Sequence, residues 1–75
     1  MGGRPKIQQQ QQPTPRLLAA WLFENEPWVT DDQLDALLRR YFPNDHVRAG
    51  AHYRILWQRG KMMCVPIEDP RKLLG

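Results

Sequence analysis

Cysteine, histidine and long apolar runs are scarce in this chain of 75 residues. Its one cysteine, Cys64, excludes an intramolecular disulfide, and one cysteine with two histidines does not match the spacing of a structural zinc site. No apolar run approaches the roughly 18 residues of a membrane span, and the first residues lack the apolar core of a secretory signal. We therefore expect a cytoplasmic protein, with no metal and no membrane.

Residues that suit catalysis are also few. The sequence has no glycine-rich phosphate loop, and the roughly 60 residues able to fold leave little room for a pocket of convergent acids and nucleophiles. Cys64 and His52 form a conceivable nucleophile and base, but a cysteine between Met63 and Val65 is more typical of a small buried hydrophobe. We expect a non-enzymatic binding protein that needs no cofactor.

Acidic residues are concentrated in the middle of the chain. Residues 1–16 carry three basic side chains and no acid, a net charge of +3. Residues 17–45 carry six acids and two arginines, a net of −4, and residues 46–75 carry six basic side chains and two acids, a net of +4. Such segregation favours one face that meets a polyanion or an acidic protein surface, although charge imbalance also occurs on inert solvated surfaces.

The first 13 residues have the composition of a tail. They include five consecutive glutamines at 8–12 and too few apolar side chains to offset chain entropy, so we predict a disordered basic and glutamine-rich segment. Residues 3–6, Gly-Arg-Pro-Lys, resemble part of an AT-hook, which implies an arginine in a narrow A·T minor groove; a plain flexible arm is the favoured interpretation. We predict a folded domain over 14–70 and a flexible C-terminus over 71–75.

Two helices have clear start signals. Thr14 can cap the first helix, with Pro15 at its first position, and this helix should end near Asn25. Thr30 and Gln33 form a capping box at the start of the second helix. Apolar residues follow both signals at helical spacing.

A third helix is predicted from Asn44 or Asp45 to Gly60, whose left-handed conformation would end it. Residues 62–65 then read as a short strand. The fold class is therefore mostly α: a three-helix helix-turn-helix bundle with a short C-terminal β-strand or wing. Trp28, in the first connection, is expected to plug the end of the bundle, with an exposed anchor for a partner as the alternative. The residues predicted to meet in the core are Trp21, Leu34, Leu38, Ala49, Tyr53, Leu56 and Trp57.

The order of these elements resembles the winged helix-turn-helix group of DNA-binding domains over roughly residues 15–67. Residues 29–34, Val-Thr-Asp-Asp-Gln-Leu, look like the start of a support helix, and residues 48–61 look like a recognition helix that runs into a wing. The resemblance implies that the third helix lies in the major groove of duplex DNA. The residues that would face the groove are Arg48, Ala51, His52, Ile55 and Arg59. Lys61 and the tail residues Arg4 and Lys6 would neutralise phosphates.

The same surface also suits a protein partner. A small basic protein with a flexible tail resembles the phage-encoded factors that bind a host RNA polymerase. This resemblance implies a bacterial or phage-infected host cell and an apolar centre for an acidic polymerase surface. That centre would consist of Val47, Ala51 and Ile55, ringed by Arg48, Arg54 and Gln58. Duplex DNA is the first choice of partner and RNA polymerase the alternative. RNA is disfavoured, because the aromatic residues lie at helical core positions instead of on a sheet.

Overall fold

The computed structural model describes residues 13–62 and 64–74. In these residues the chain forms three α-helices, α1 (Pro15–Asn25), α2 (Asp31–Tyr41) and α3 (Gly50–Gln58), and a terminal 3₁₀ helix, η1 (Pro70–Leu73). The prediction of a mostly helical, three-helix architecture is confirmed. Of the predicted tail only Pro13 is described, and Arg4 and Lys6 lie outside the described residues.

Local capping explains where α1 and α2 begin. The Thr14 hydroxyl accepts a hydrogen bond from the Leu17 amide at 3.1 Å. At α2 the Gln33 amide donates to the Thr30 hydroxyl at 3.1 Å, and the Thr30 amide donates to the Gln33 side chain at 2.9 Å. The predicted cap of α1 and capping box of α2 are confirmed, because each depends only on residues three apart in sequence.

The start of α3 differs from the prediction. The helix begins at Gly50, not at Asn44 or Asp45, and Ala49 before it is extended and offers no side-chain cap. The Gly50 amide instead donates to the Asp35 carboxylate of α2. The connection between α2 and α3 therefore spans residues 42–49, whereas the turn of a helix-turn-helix motif has three or four residues.

The core lies where the three helices converge. Its most completely buried side chains are Leu18, Leu22, Phe23, Leu34 and Leu38. Tyr53 is also buried, while Trp21, Leu56 and Trp57 are partly buried against this cluster. Ala49 was predicted to face the core and is exposed, because α3 has not yet begun at that residue.

Gly60 ends α3 as predicted. Its φ of 77° is in the left-handed region, which glycine adopts without the penalty that a β-carbon brings. The Gly60 amide donates to the Trp57 carbonyl at 3.0 Å and the Lys61 amide donates to the Leu56 carbonyl at 2.8 Å. These two bonds form a Schellman motif, which turns the chain back towards the core.

The predicted wing strand is not seen in residues 62 and 64–65. A strand needs a neighbour that bonds its backbone N–H and C=O groups, and the described residues contain no second strand. Met62 is buried, but Cys64 is exposed, so the prediction of a buried cysteine is wrong.

The C-terminal segment packs against α1. Asp69 accepts from the Arg71 amide at 2.9 Å and from its guanidinium at 2.7 Å. Arg71 also lies 3.5 Å from the Glu26 carboxylate and stacks 5.8 Å from the centre of the Trp21 ring. Residues 71–73, predicted to be flexible, thus form a 3₁₀ helix that contacts α1.

Candidate nucleic-acid interface

The outward side of α3 carries most of the predicted binding residues. Its exposed residues recur at helical spacing and form one continuous stripe, which we call the α3 face. The α3 face consists of Ala51, His52, Ile55, Gln58 and Arg59. Arg48 just before the helix and Lys61 just after it are exposed as well. No acidic residue occurs between positions 46 and 67, so this surface offers cations and small apolar groups without a carboxylate from α3.

Arg54, which was also predicted to bind a partner, points to the other side. Its guanidinium donates to the Asp31 carboxylate and to the Val29 carbonyl, both at 2.6 Å. It also lies 4.5 Å above the centre of the Phe23 ring. Arg54 therefore holds α3 against the first connection and the start of α2 and is not part of the α3 face.

Acidic residues of α2 fix the position of α3. Asp31 binds Arg54, and Asp35 binds the Gly50 amide at the first turn of α3. Both carboxylates are thereby directed to the inner side of α3, away from the α3 face. At the α2–α3 contact Asp31 thus neutralises the charge of Arg54, and Asp35 satisfies a backbone N–H that would otherwise have no partner in the helix.

An open cleft of about 570 Å³ adjoins this face, between the start of α1, the 42–49 connection and α3. We call it the α1–α3 cleft. Its polar side chains include two arginines, two histidines and one carboxylate: Arg16, Arg48, His46, His52 and Asp45. The buried Tyr53 contributes to its floor, and its hydroxyl accepts from the Arg48 amide at 3.2 Å.

Two cleft residues, Arg16 and His46, were not among the predicted binding residues. Arg16 belongs to α1, 32 positions before Arg48, and the two reach one cleft only because α1 packs against α3. His46 was expected to lie in the first turn of α3, but it lies in the connection and lines the cleft. No local sequence signal marks either residue, because the cleft is made by tertiary packing.

Trp28 belongs neither to the α3 face nor to the α1–α3 cleft. It is 73% exposed, so the prediction that it plugs the end of the bundle is wrong and the alternative of an exposed ring is observed. Beside it is a groove of about 370 Å³ lined by side chains of the first connection and of α2. These include Val29, Ala36 and Leu37.

None of the helices in residues 13–62 and 64–74 has the length and apolar character needed to cross a membrane. Comparison with protein-family models, with curated proteins and with solved structures finds no match to this chain.

Proposed function

We propose that this chain is a small transcription regulator that binds duplex DNA through the α3 face. The observation that carries the proposal is an exposed helix surface with arginines at both ends and no carboxylate of its own. Binding to a duplex depends strongly on neutralising its phosphates, so a surface of this composition suits DNA. The two acids of α2 that contact α3, Asp31 and Asp35, are engaged on its inner side.

Residue types on the α3 face also suit the reading of base edges. The major groove is about 12 Å wide and admits an α-helix. Arginine can bind guanine at two points, and alanine or isoleucine can contact a thymine methyl group. Arg48 and Arg59 are the candidates for the first contact, and Ala51 and Ile55 for the second. Lys61 would neutralise a phosphate beyond the end of the helix.

The similarity to winged helix-turn-helix domains that we propose concerns only the order of the helices. The eight-residue connection 42–49 sets α3 relative to α2 differently from a three- or four-residue turn. Asp35 also accepts from the first backbone N–H of α3. The N-terminus of α3 therefore has fewer free N–H groups for a DNA phosphate than an uncapped helix would have. We therefore expect phosphates to be held by side chains.

Duplex titration of matched variants tests this function. Ile55→Glu places a carboxylate at the centre of the α3 face, and Arg59→Gln removes one cation there; Arg39→Gln, an exposed arginine of α2, is the control. Fluorescence anisotropy with a labelled mixed-sequence duplex, at two salt concentrations, should show Ile55→Glu and Arg59→Gln binding more weakly. Loss of a base-contacting arginine costs about 1–3 kcal/mol. A wild-type dissociation constant above about 10⁻⁴ M at physiological salt, the weak limit for non-specific binders, would reject DNA binding.

A second function, binding to a host RNA polymerase, is supported by one observation. Ile55 is 48% exposed at the centre of the α3 face, with Ala51 beside it and Arg48 and Gln58 at the edges. An exposed apolar centre with a polar rim is the anatomy of a protein interface. Val47 is only half-exposed, so the apolar centre is smaller than predicted, and Arg54 is turned inward, so the ring lacks one of its predicted arginines. Titration with purified bacterial RNA polymerase is the test: a micromolar complex that Ile55→Glu abolishes, without duplex binding, would favour this function.

A further inference from the structure

We propose that the α1–α3 cleft is a binding site for a phosphate group, supplied by a nucleic-acid backbone or by a free nucleotide. With a nucleic acid as the source, the proposal rests on the proposed function and adds a second contact beside the α3 face. With a free nucleotide as the source, it is independent of duplex binding.

The cleft brings together groups that bind phosphate. Arg16 from α1 and Arg48 from the connection supply two guanidinium groups, which match the geometry of phosphate oxygens. Asp45 is the one carboxylate in the lining, so positive charge prevails even with both histidines neutral. His46 and His52 add ring N–H groups that can donate to a phosphate oxygen.

Two of these groups, the Arg16 guanidinium and the Tyr53 hydroxyl, are held in place by the fold. The Arg16 guanidinium donates to the Lys61 carbonyl at 2.6 Å, which fixes the side chain across the end of α3. The Tyr53 hydroxyl accepts from the Arg48 amide, and a hydroxyl that accepts still has its own proton to donate. A phosphate in the cleft would therefore meet two donors whose positions are set before it arrives, which lowers the entropy cost of binding.

The dimensions and the position of the cleft agree with this ligand. Its volume of about 570 Å³ lies within the ordinary range for a small-molecule site, about 300–1,000 Å³, and exceeds what one phosphate fills. Leu56 and Pro15 supply apolar wall against which a sugar can pack. His52 belongs to both the cleft and the α3 face, so a duplex lying on that face would carry its backbone past the cleft.

Two probes and three variants of the full chain test the site. The probes are adenosine 5′-monophosphate and a mixed-sequence duplex, with adenosine, which lacks the phosphate, as the ligand control. The variants are Arg16→Gln and His46→Gln, which are in the cleft but not on the α3 face, and Arg39→Gln, which is in neither. Amide chemical shifts of the ¹⁵N-labelled protein locate the binding, and circular dichroism shows that each variant folds.

We expect the two cleft variants to weaken binding of the monophosphate, the duplex or both by about threefold or more, beyond any effect of Arg39→Gln. An effect on the duplex identifies the backbone as the source, and an effect on the monophosphate alone identifies a free nucleotide. The proposal is overturned if the cleft variants weaken neither probe more than Arg39→Gln does. It is also overturned if only the monophosphate responds to the cleft variants and adenosine binds as well as its monophosphate.

These outcomes separate the cleft from the α3 face. Duplex binding that responds to Ile55→Glu but not to the cleft variants would leave the proposed function standing and remove the phosphate site. Monophosphate binding without duplex binding would leave the phosphate site standing and remove the proposed function.

Discussion

Gly50, the first residue of α3, lies tightly against the start of α2. A β-carbon at this position would lie 2.6 Å from the Asp31 carbonyl oxygen and 3.2 Å from the Asp31 Cα. Both are backbone atoms, so no side-chain rotation can relieve the contact. The absence of a side chain at Gly50 therefore sets how closely the two helices approach.

We predict that Gly50→Ala destabilises the fold. Overpacking typically costs about 1–3 kcal/mol, whereas alanine gains at most about 1 kcal/mol over glycine inside a helix and less at the first helical position. The cost of the steric contact should exceed the gain in helix propensity. Urea denaturation followed by circular dichroism should therefore show a lower midpoint for Gly50→Ala. Ala51→Ser, at the exposed neighbouring position, is the control and should change little. A midpoint unchanged or raised in Gly50→Ala would mean that α3 moves away from α2 at no cost.

Arg54 shows why a residue's role depends on its partners. By helical spacing it lies at the margin of the open side of α3, and its charge suits a polyanion. Its actual partners, Asp31 and the Val29 carbonyl, lie 23 and 25 positions earlier in the chain. Contacts at such separation leave no periodic signal in the sequence, so spacing alone placed Arg54 on the wrong surface.

At the scale of the helices, local signals were sufficient to predict where α1 and α2 begin. Thr14 and the pair Thr30 and Gln33 act within one turn, and both starts were predicted correctly. The start of α3 was not, because its cap, Asp35, lies 15 residues before Gly50. The exposed residues of the α3 face were predictable because helical periodicity survives an error of several residues in the start.

We predict that Asp35→Ala destabilises α3 and with it the whole fold. Loss of a capping side chain costs about 0.5–2 kcal/mol, and here the cap also ties two helices together. Asp35→Asn keeps an acceptor oxygen and should recover part of the loss. Thermal melts of both variants, with Asp32→Ala at an exposed position of the same helix turn as a control, measure the difference. Equal melting of Asp35→Ala and the wild type would show that α3 does not depend on this cap.

At the scale of the whole molecule, ion pairs hold the C-terminal helix η1 against the end of α1. Burial alone would raise the pKa of Asp69, but hydrogen bonds from the Arg71 side chain and amide, and the Arg71 charge, outweigh it and lower that pKa. Hydrogen bonding to Asp69 in turn raises the pKa of Arg71 despite its burial. The Asp69–Arg71 pair thus holds η1 in the geometry that brings Arg71 to Glu26 of the α1 end.

This pair predicts a dependence of stability on pH. Because the pKa of Asp69 is lower in the folded protein than its ordinary 3.8, the folded state binds the proton less readily than the unfolded state. The contribution of the Asp69 carboxylate to the stability of the fold is therefore complete above pH 3.8, its ordinary pKa, and is lost as the pH falls through its pKa in the folded state. Thermal melts between pH 6 and pH 2.5 should show a smaller decline for Asp69→Asn than for the wild type. An identical decline would mean that other carboxylates account for the acid sensitivity.

The exposed Trp28 ring gives the protein a built-in optical reporter. Trp28 is open to solvent, whereas Trp21 and Trp57 are partly buried against the core. A collisional quencher such as acrylamide should therefore reach Trp28 first and extinguish the red-shifted part of the intrinsic emission. Trp28 is not on the α3 face, so a ligand on that face should leave this fraction quenchable, while a protein that grips the first connection should shield it. One unlabelled sample can thus reveal which side of the molecule a partner covers.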